Sequence, residues 1–214
     1  AEDAAATSPA AKGGMAAMGP MGSGGGMGQM GEAGGGSLLG GDPGDVIYPY
    51  YVVNGRIPEA PTTFRAKPGQ RIRIRFINAG SDTAFRVALA GHRMKVTHTD
   101  GFPVVPTDVD ALLIGMGERY DVIATAGDGV FPLVASAEGK NALGRALLAT
   151  GVGTAPAADF RPQELNGKVG TIDLFAAPEE VQLGFTKADT ESVPNLTSGD
   201  AAYQWGINGP YPDN

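Results

Sequence analysis

Residues Arg71 to Phe76 read Arg-Ile-Arg-Ile-Arg-Phe, a strict alternation of charged and apolar side chains. Successive side chains of a strand point to opposite faces, so this pattern predicts a half-buried β-strand. It sends Ile72, Ile74 and Phe76 inward and leaves Arg71, Arg73 and Arg75 in water. One strand needs partners, and the chain supplies candidates at 84–89, 94–98, 111–114, 120–125, 131–135 and 146–149. Turn chemistry separates them: Lys67-Pro68-Gly69-Gln70, the stretch from Asn78 to Asp82, Ala90-Gly91-His92, Asp100-Gly101 and Gly127-Asp128-Gly129. Pro68-Gly69 suits a type II turn, proline presetting φ and glycine taking φ > 0. Many short strands at this spacing, with no helical period, predict an all-β Greek-key sandwich over 45–152, with Val87 and Val122 also facing inward.

A second feature bears on organisation. Tyr51-Val-Val-Asn54-Gly55-Arg, with Pro58 soon after, has an echo in Trp205-Gly-Ile-Asn208-Gly209-Pro. The two phrases stand one β-domain and a linker apart, so the sequence reads as a piece of a larger, repeat-built protein. Four segments follow. Residues 1–44 are a Gly/Ala/Met-rich stretch with few large apolar side chains, expected to be a flexible linker. Residues 45–152 are the β-domain and 153–180 an interdomain connector. Residues 181–214 open a further domain, with strands expected at 181–185 and 203–207.

The charge balance is −7, and no Lys/Arg cluster forms a basic stripe, which argues against a nucleic-acid partner. No apolar run is long enough to span a membrane. With no cysteine, the chain can build neither a disulfide nor a thiolate metal site.

The blocks Val53-Asn-Gly55, Pro68-Gly-Gln-Arg-Ile-Arg-Ile-Arg-Phe-Ile-Asn78, Phe85-Arg86, Thr99-Asp-Gly-Phe-Pro-Val104 and Gly117-Glu-Arg-Tyr-Asp-Val122 occur in a recognisable order. From Tyr48 to Ala149 the chain resembles the middle, cupredoxin-like domain of bacterial three-domain multicopper oxidases, the laccase-like enzymes. From Val181 to Asn214 it resembles the opening strands of their third domain. The resemblance implies a parent that oxidises small reductants, phenols or metal ions, one electron at a time and reduces dioxygen to water. It implies copper in the parent and none in this segment. It implies flanking cupredoxin domains as partners, and a secreted or cell-envelope location. The unfinished tail adds self-association as a further partner expectation. Two alternatives stay open: a non-catalytic copper-handling module, and part of a two-domain oxidase or nitrite-reductase-like trimer.

Histidines, carboxylates and methionines are the residues here that could hold a metal. A blue-copper site needs two imidazoles and a cysteine thiolate. The chain has only His92 and His98, not in a His-x-His motif. His92 is expected to be a solvated residue of a hairpin turn. His98 is expected to be a hydrogen-bonded residue at a strand end. Asp100, Asp108 and Asp110 are close in sequence and are read as solvated loop carboxylates, with a hard cation as the alternative. Glu118 is read as part of a turn entering a strand, with Arg119 paired to a carboxylate and Tyr120 partly buried. Catalytic and cofactor-binding residues are therefore expected to be absent. The remaining metal candidates are Met15, Met18, Met21, Met27 and Met30, which recur at three-residue intervals. Thioethers are soft ligands suited to Cu(I); a low-complexity linker is the competing reading.

Overall fold

A computed structural model describes residues 38–39, 43–44, 46–184, 187–198 and 205–209. Its elements, in chain order, are β1 (Thr62–Arg65), β2 (Arg71–Ile77), β3 (Phe85–Leu89), β4 (Met94–Thr99), β5 (Phe102–Val109), β6 (Ala111–Ile114), β7 (Arg119–Thr125), β8 (Val130–Ala137), β9 (Leu143–Ala149), β10 (Val169–Gly170), β11 (Leu196–Ser198) and β12 (Trp205–Ile207). Three 3₁₀ turns lie at Gln163–Asn166, Ile172–Leu174 and Glu179–Val181. Among the described residues no helix is long and apolar enough to cross a membrane.

The strands form a sandwich. One sheet runs β1-β9-β8-β3-β6-β10 and the other β2-β7-β4-β5. Apolar side chains from both meet in one core: Val87, Leu112, Ile114, Leu133 and Leu148 from the larger sheet, and Met94, Val96, Val109, Tyr120 and Val122 from the smaller. Ile72, Ile74 and Phe76 pack against it, and their arginine neighbours are exposed, as the alternation predicts. The all-β sandwich is thus the observed fold. β2 pairs antiparallel with β7 in an unbroken register from Arg71↔Thr125 to Ile77↔Arg119.

The larger sheet is buried on both faces. Ala88, Ala111, Val134 and Leu143 form a second cluster on its outer face, closed by Leu165 of the Gln163–Asn166 turn and by Val169. This explains why β9 reads Leu-Gly-Arg-Ala-Leu-Leu-Ala without alternation: residues of both parities lose water.

Buried or half-buried cations hold the surrounding chain to the sandwich. Lys140 Nζ donates to Val46 O at 2.7 Å, Asp82 O at 2.9 Å, Asp82 Oδ2 at 3.1 Å and Thr83 Oγ1 at 3.0 Å. Arg145 donates to the carbonyls of Ala157 and Pro156, each at 2.8 Å. Arg86 forms a bidentate pair with Glu138 and also donates to Leu165 O at 3.2 Å. Further along, the Phe175 ring meets Tyr120 edge-on at 5.9 Å and closes the β5 side of the sandwich.

The structure differs from the sequence reading at several places, β1 and β11 among them, which have no expected counterpart. Residues 179–181 form a 3₁₀ turn and 182–184 lie outside any strand, so the strand expected from Val181 does not form there. Pro178 opens that turn in extended geometry, and the local backbone bonds run Val181 N to Pro178 O and Gln182 N to Glu179 O. Ala90-Gly91-His92 joins β3 to β4, which belong to opposite sheets, so it is a corner and not a hairpin. β5 has no counterpart among the expected strands, and it carries Pro103 and Pro106. It is an edge strand of its sheet, where missing N–H donors are tolerated.

The two Asn-Gly phrases share a backbone trait. Asn54 and Asn208 both adopt positive φ, 51° and 59°, followed by Gly55 and Gly209. Val53 and Arg56 exchange both backbone bonds at 3.1 Å around the first pair, a two-residue hairpin turn. The second follows the β11–β12 ladder.

Candidate functional site

The side chains that could carry chemistry are mostly committed to structure. His92 is 7% exposed, which corrects its reading as a solvated turn residue. Its Nδ1 lies 2.7 Å from Ala90 O, and its Nε2 accepts from the Gly127 N–H at 2.9 Å. Those partners fix the Nδ1–H tautomer. The ring stacks edge-on against Phe131 at 4.5 Å, which is what removes it from water. Both ring nitrogens are occupied, so none is left for a metal. His98 follows a bulge in β4, with Nδ1 3.1 Å from Thr97 Oγ1 and 3.4 Å from Arg73 Nη2. It is a hydrogen-bonded residue near the strand end, as expected.

The carboxylates are similarly used. Asp108 pairs with Lys95 at 3.0 Å, Asp110 with Arg93 at 3.1 Å and Asp100 with Arg119 at 3.2 Å. Asp110 also accepts the Lys168 N–H at 2.8 Å. That backbone bond, followed by the Arg93 contact, outweighs desolvation and holds the carboxyl below the usual aspartate range. Glu118 caps its own turn, accepting the Gly115 N–H at 2.6 Å. Among the described residues no group of three or more acidic or imidazole side chains is placed to hold a metal ion.

Tyr120 is more deeply placed than expected, 1% exposed rather than partly buried. Its hydroxyl has no hydrogen-bond partner. Burial, with the Glu118 and Asp100 carboxylates adding to it, pushes the phenol far above its ordinary range. Met15, Met18, Met21, Met27 and Met30 lie outside the described residues.

A blue-copper centre needs a thiolate and two free imidazole nitrogens. There is no cysteine, and His92 has neither nitrogen to spare. The described residues do not fit such a centre.

One feature leaves room for a partner. On the side opposite Phe175, between β1 and β2, the sandwich opens into a cleft of about 690 Å³. Phe64, Ile74 and Phe76 form its flanks, and Val87, Ile114 and Leu133 of the core form its floor. No sequence signal marked it, because its walls come from five separate stretches of chain that only the sheet order brings together.

Comparisons with known proteins bear on this arrangement. The family described as multicopper oxidase matches residues 35–154. The chain is 63% identical over 176 residues to multicopper oxidase MmcO of Mycobacterium tuberculosis, covering 82% of this chain and 35% of that protein. It is 37% identical over 115 residues to a copper resistance protein A homolog of Pseudomonas syringae pv. tomato, covering 52% of this chain and 20% of the relative. The chain thus spans about a third or less of the length of these curated relatives. Among solved structures, Fet3p, described as a multicopper oxidase that functions in iron import, superposes with a TM-score of 0.56 at 17% identity. That match covers 73% of this chain and 31% of Fet3p, and it supports the cupredoxin-like sandwich as the fold.

Proposed function

The chain belongs to the multicopper oxidase family, and from that premise we propose that it is the copper-free middle portion of a longer oxidase. Residues 45–152 form the scaffold domain, 153–180 the connector, and 181–214 the opening of the domain that follows. The observation that carries this reading is the commitment of the His92 imidazole. A chain with the family's sandwich, yet with no thiolate and with both His92 nitrogens bonded to backbone groups, is suited to spacing copper domains rather than holding copper itself. The parent would couple one-electron oxidation of small reductants, phenols or metal ions, to reduction of dioxygen to water. Copper is supplied by the flanking cupredoxin domains, which are this segment's partners. On this reading the parent works in the cell envelope or outside the cell.

The test compares two proteins. The full reading frame containing this segment, loaded with copper, is expected to be blue and to consume dioxygen with a phenol or Cu(I). The 214-residue chain under the same conditions is expected to do neither. Dioxygen consumption by the chain alone, or a reading frame lacking a His-Cys-His run beyond Asn214, would overturn the assignment.

A second reading concerns Met15, Met18, Met21, Met27 and Met30. Their thioethers suit Cu(I), and the relatives named for copper resistance favour copper handling. Competition against a Cu(I) chelator should show binding by the chain that is lost when all five are replaced by leucine. Equal competition by both proteins would leave a plain linker.

A further inference from the structure

We propose that the free edge of β2 docks an extended, acidic segment of a partner protein, which adds to the smaller sheet as a further strand. β2 ends that sheet, whose order is β2-β7-β4-β5. The register with β7 fixes which of its backbone groups are spare. The Asn78 N–H donates to Glu118 O and the Ala126 N–H to Gln70 O, one step beyond either end of the ladder from Arg71↔Thr125 to Ile77↔Arg119. Bonded and non-bonded pairs alternate along an antiparallel ladder. Ile72, Ile74 and Phe76 therefore exchange bonds with β7, and Arg71, Arg73 and Arg75 turn their N–H and C=O groups to the open side. Such a row of unpaired groups is a template for another strand.

The arginine side chains set the partner's chemistry. In an antiparallel addition, the residues directly opposite Arg71, Arg73 and Arg75 project on the same outer face as the guanidinium groups. Asp121 pairs with Arg73 at 2.5 Å and with Arg75 at 3.5 Å, and Arg71 has no ion pair among the described residues. The three cations thus have one carboxylate between them, and the Arg75 side chain is still 70% exposed. A partner with an acidic residue at every second position supplies the missing charge. Its intervening residues lie on the side of Ile74 and Phe76, which pack against the core, so they are apolar. A second copy docking through its own β2 would set arginine against arginine, and like charges directly opposite are destabilising.

The probe is a dye-labelled peptide of alternating glutamate and valine, 7 residues long like β2 and blocked at both ends. It is titrated at low salt into the 214-residue chain by fluorescence anisotropy, with amide hydrogen exchange followed by NMR. Saturable one-to-one binding is expected. The amides of Arg71, Arg73 and Arg75 should exchange freely in the chain alone and slow at least about 10-fold under saturating peptide, while those of Ile72, Ile74 and Phe76 stay protected throughout. Arg71→Glu/Arg75→Glu, which leaves the Arg73–Asp121 pair in place, should weaken binding roughly 2- to 30-fold and shift the preference to a lysine–valine peptide. The proposal fails if the peptide does not saturate, if it binds without slowing the three amides, or if a peptide with the same residues in two blocks binds as tightly. It fails if the charge-reversed protein still prefers glutamate. It also fails if the three amides are already slow in the chain alone, with a dimer in sedimentation, or in the full reading frame, because a second copy or the flanking chain then fills the edge. Should the charge-reversed protein not fold, the exchange comparison decides alone. No measurement here depends on copper, so the outcome is separate from that of the scaffold reading.

Discussion

Tyr120 combines full burial with a hydroxyl that has no partner, in a strand whose register is set on both sides. An unsatisfied buried hydroxyl costs about 1–3 kcal/mol. Tyr120→Phe keeps the edge-on contact with Phe175 and removes that cost, so it should leave stability unchanged or raise it by up to about 1 kcal/mol in urea unfolding. A loss of more than about 1 kcal/mol would show that the hydroxyl is satisfied in solution. Asp110 behaves in the opposite way, because its carboxylate is the favoured form in the fold. Its folded-state pKa is lowered, chiefly by the Lys168 N–H. The stability it contributes is therefore present above the unfolded aspartate pKa of about 3.9 and is lost as pH falls through the lower folded value. Asp110→Asn should lower the melting temperature at pH 7, and the gap to the parent protein should close on acidification below about pH 4. A gap independent of pH would rule out the carboxylate's charge as its source. At this scale His92 shows where sequence reasoning stopped. The glycine before it marks a turn, but its burial depends on Phe131, a residue of β8 far along the chain.

The strands were legible where a residue's neighbours in sequence report its surroundings. β2 alternates because only one of its faces meets the core, and its boundaries follow directly. Ile74→Asp places an unpaired charge against that core, at a cost of several kcal/mol, a large share of the roughly 5–15 kcal/mol that holds a domain folded. Loss of the cooperative melt is expected; an unchanged melting temperature would refute the strand's inward face. Elements whose burial is set by distant chain were harder to read. β9 loses its alternation because residues 156–169 cover its outer face, and β5 carries prolines that only an edge position permits. The Arg86–Glu138 pair belongs to that covered face, with side chains only 12% and 10% exposed. Removing one partner of a buried pair leaves a charge unpaired and costs about 3–5 kcal/mol, whereas replacing both by apolar residues is often near neutral. Glu138→Ala should therefore destabilise more than the double replacement Arg86→Met/Glu138→Leu, measured by chemical denaturation. The reverse order would mean that the pair, rather than the desolvation of Arg86, carries the interaction.

At the scale of the whole molecule the described chain divides by how its elements are paired. β1 to β10 share two sheets, and Phe175 seals one side of them. The β11–β12 ladder pairs only with itself. Apolar side chains beyond the sandwich face water: Leu183, before the hairpin, is 96% exposed and Leu196 of β11 is 81% exposed. Contiguous exposed apolar surface drives association, and a two-stranded hairpin is marginal on its own. A chain ending at Gln182 keeps Phe175, both sheets and the cation-held connector. It should melt cooperatively within about 2 °C of the full chain, less than the shift expected for 1 kcal/mol in a domain of this size. It should also self-associate less in sedimentation equilibrium. If the shortened chain instead loses its cooperative transition, the residues after Gln182 are part of the sandwich's stability. If it melts normally but associates as strongly as before, the contact surface lies on the sandwich, and the open side between β1 and β2 becomes the region to vary next.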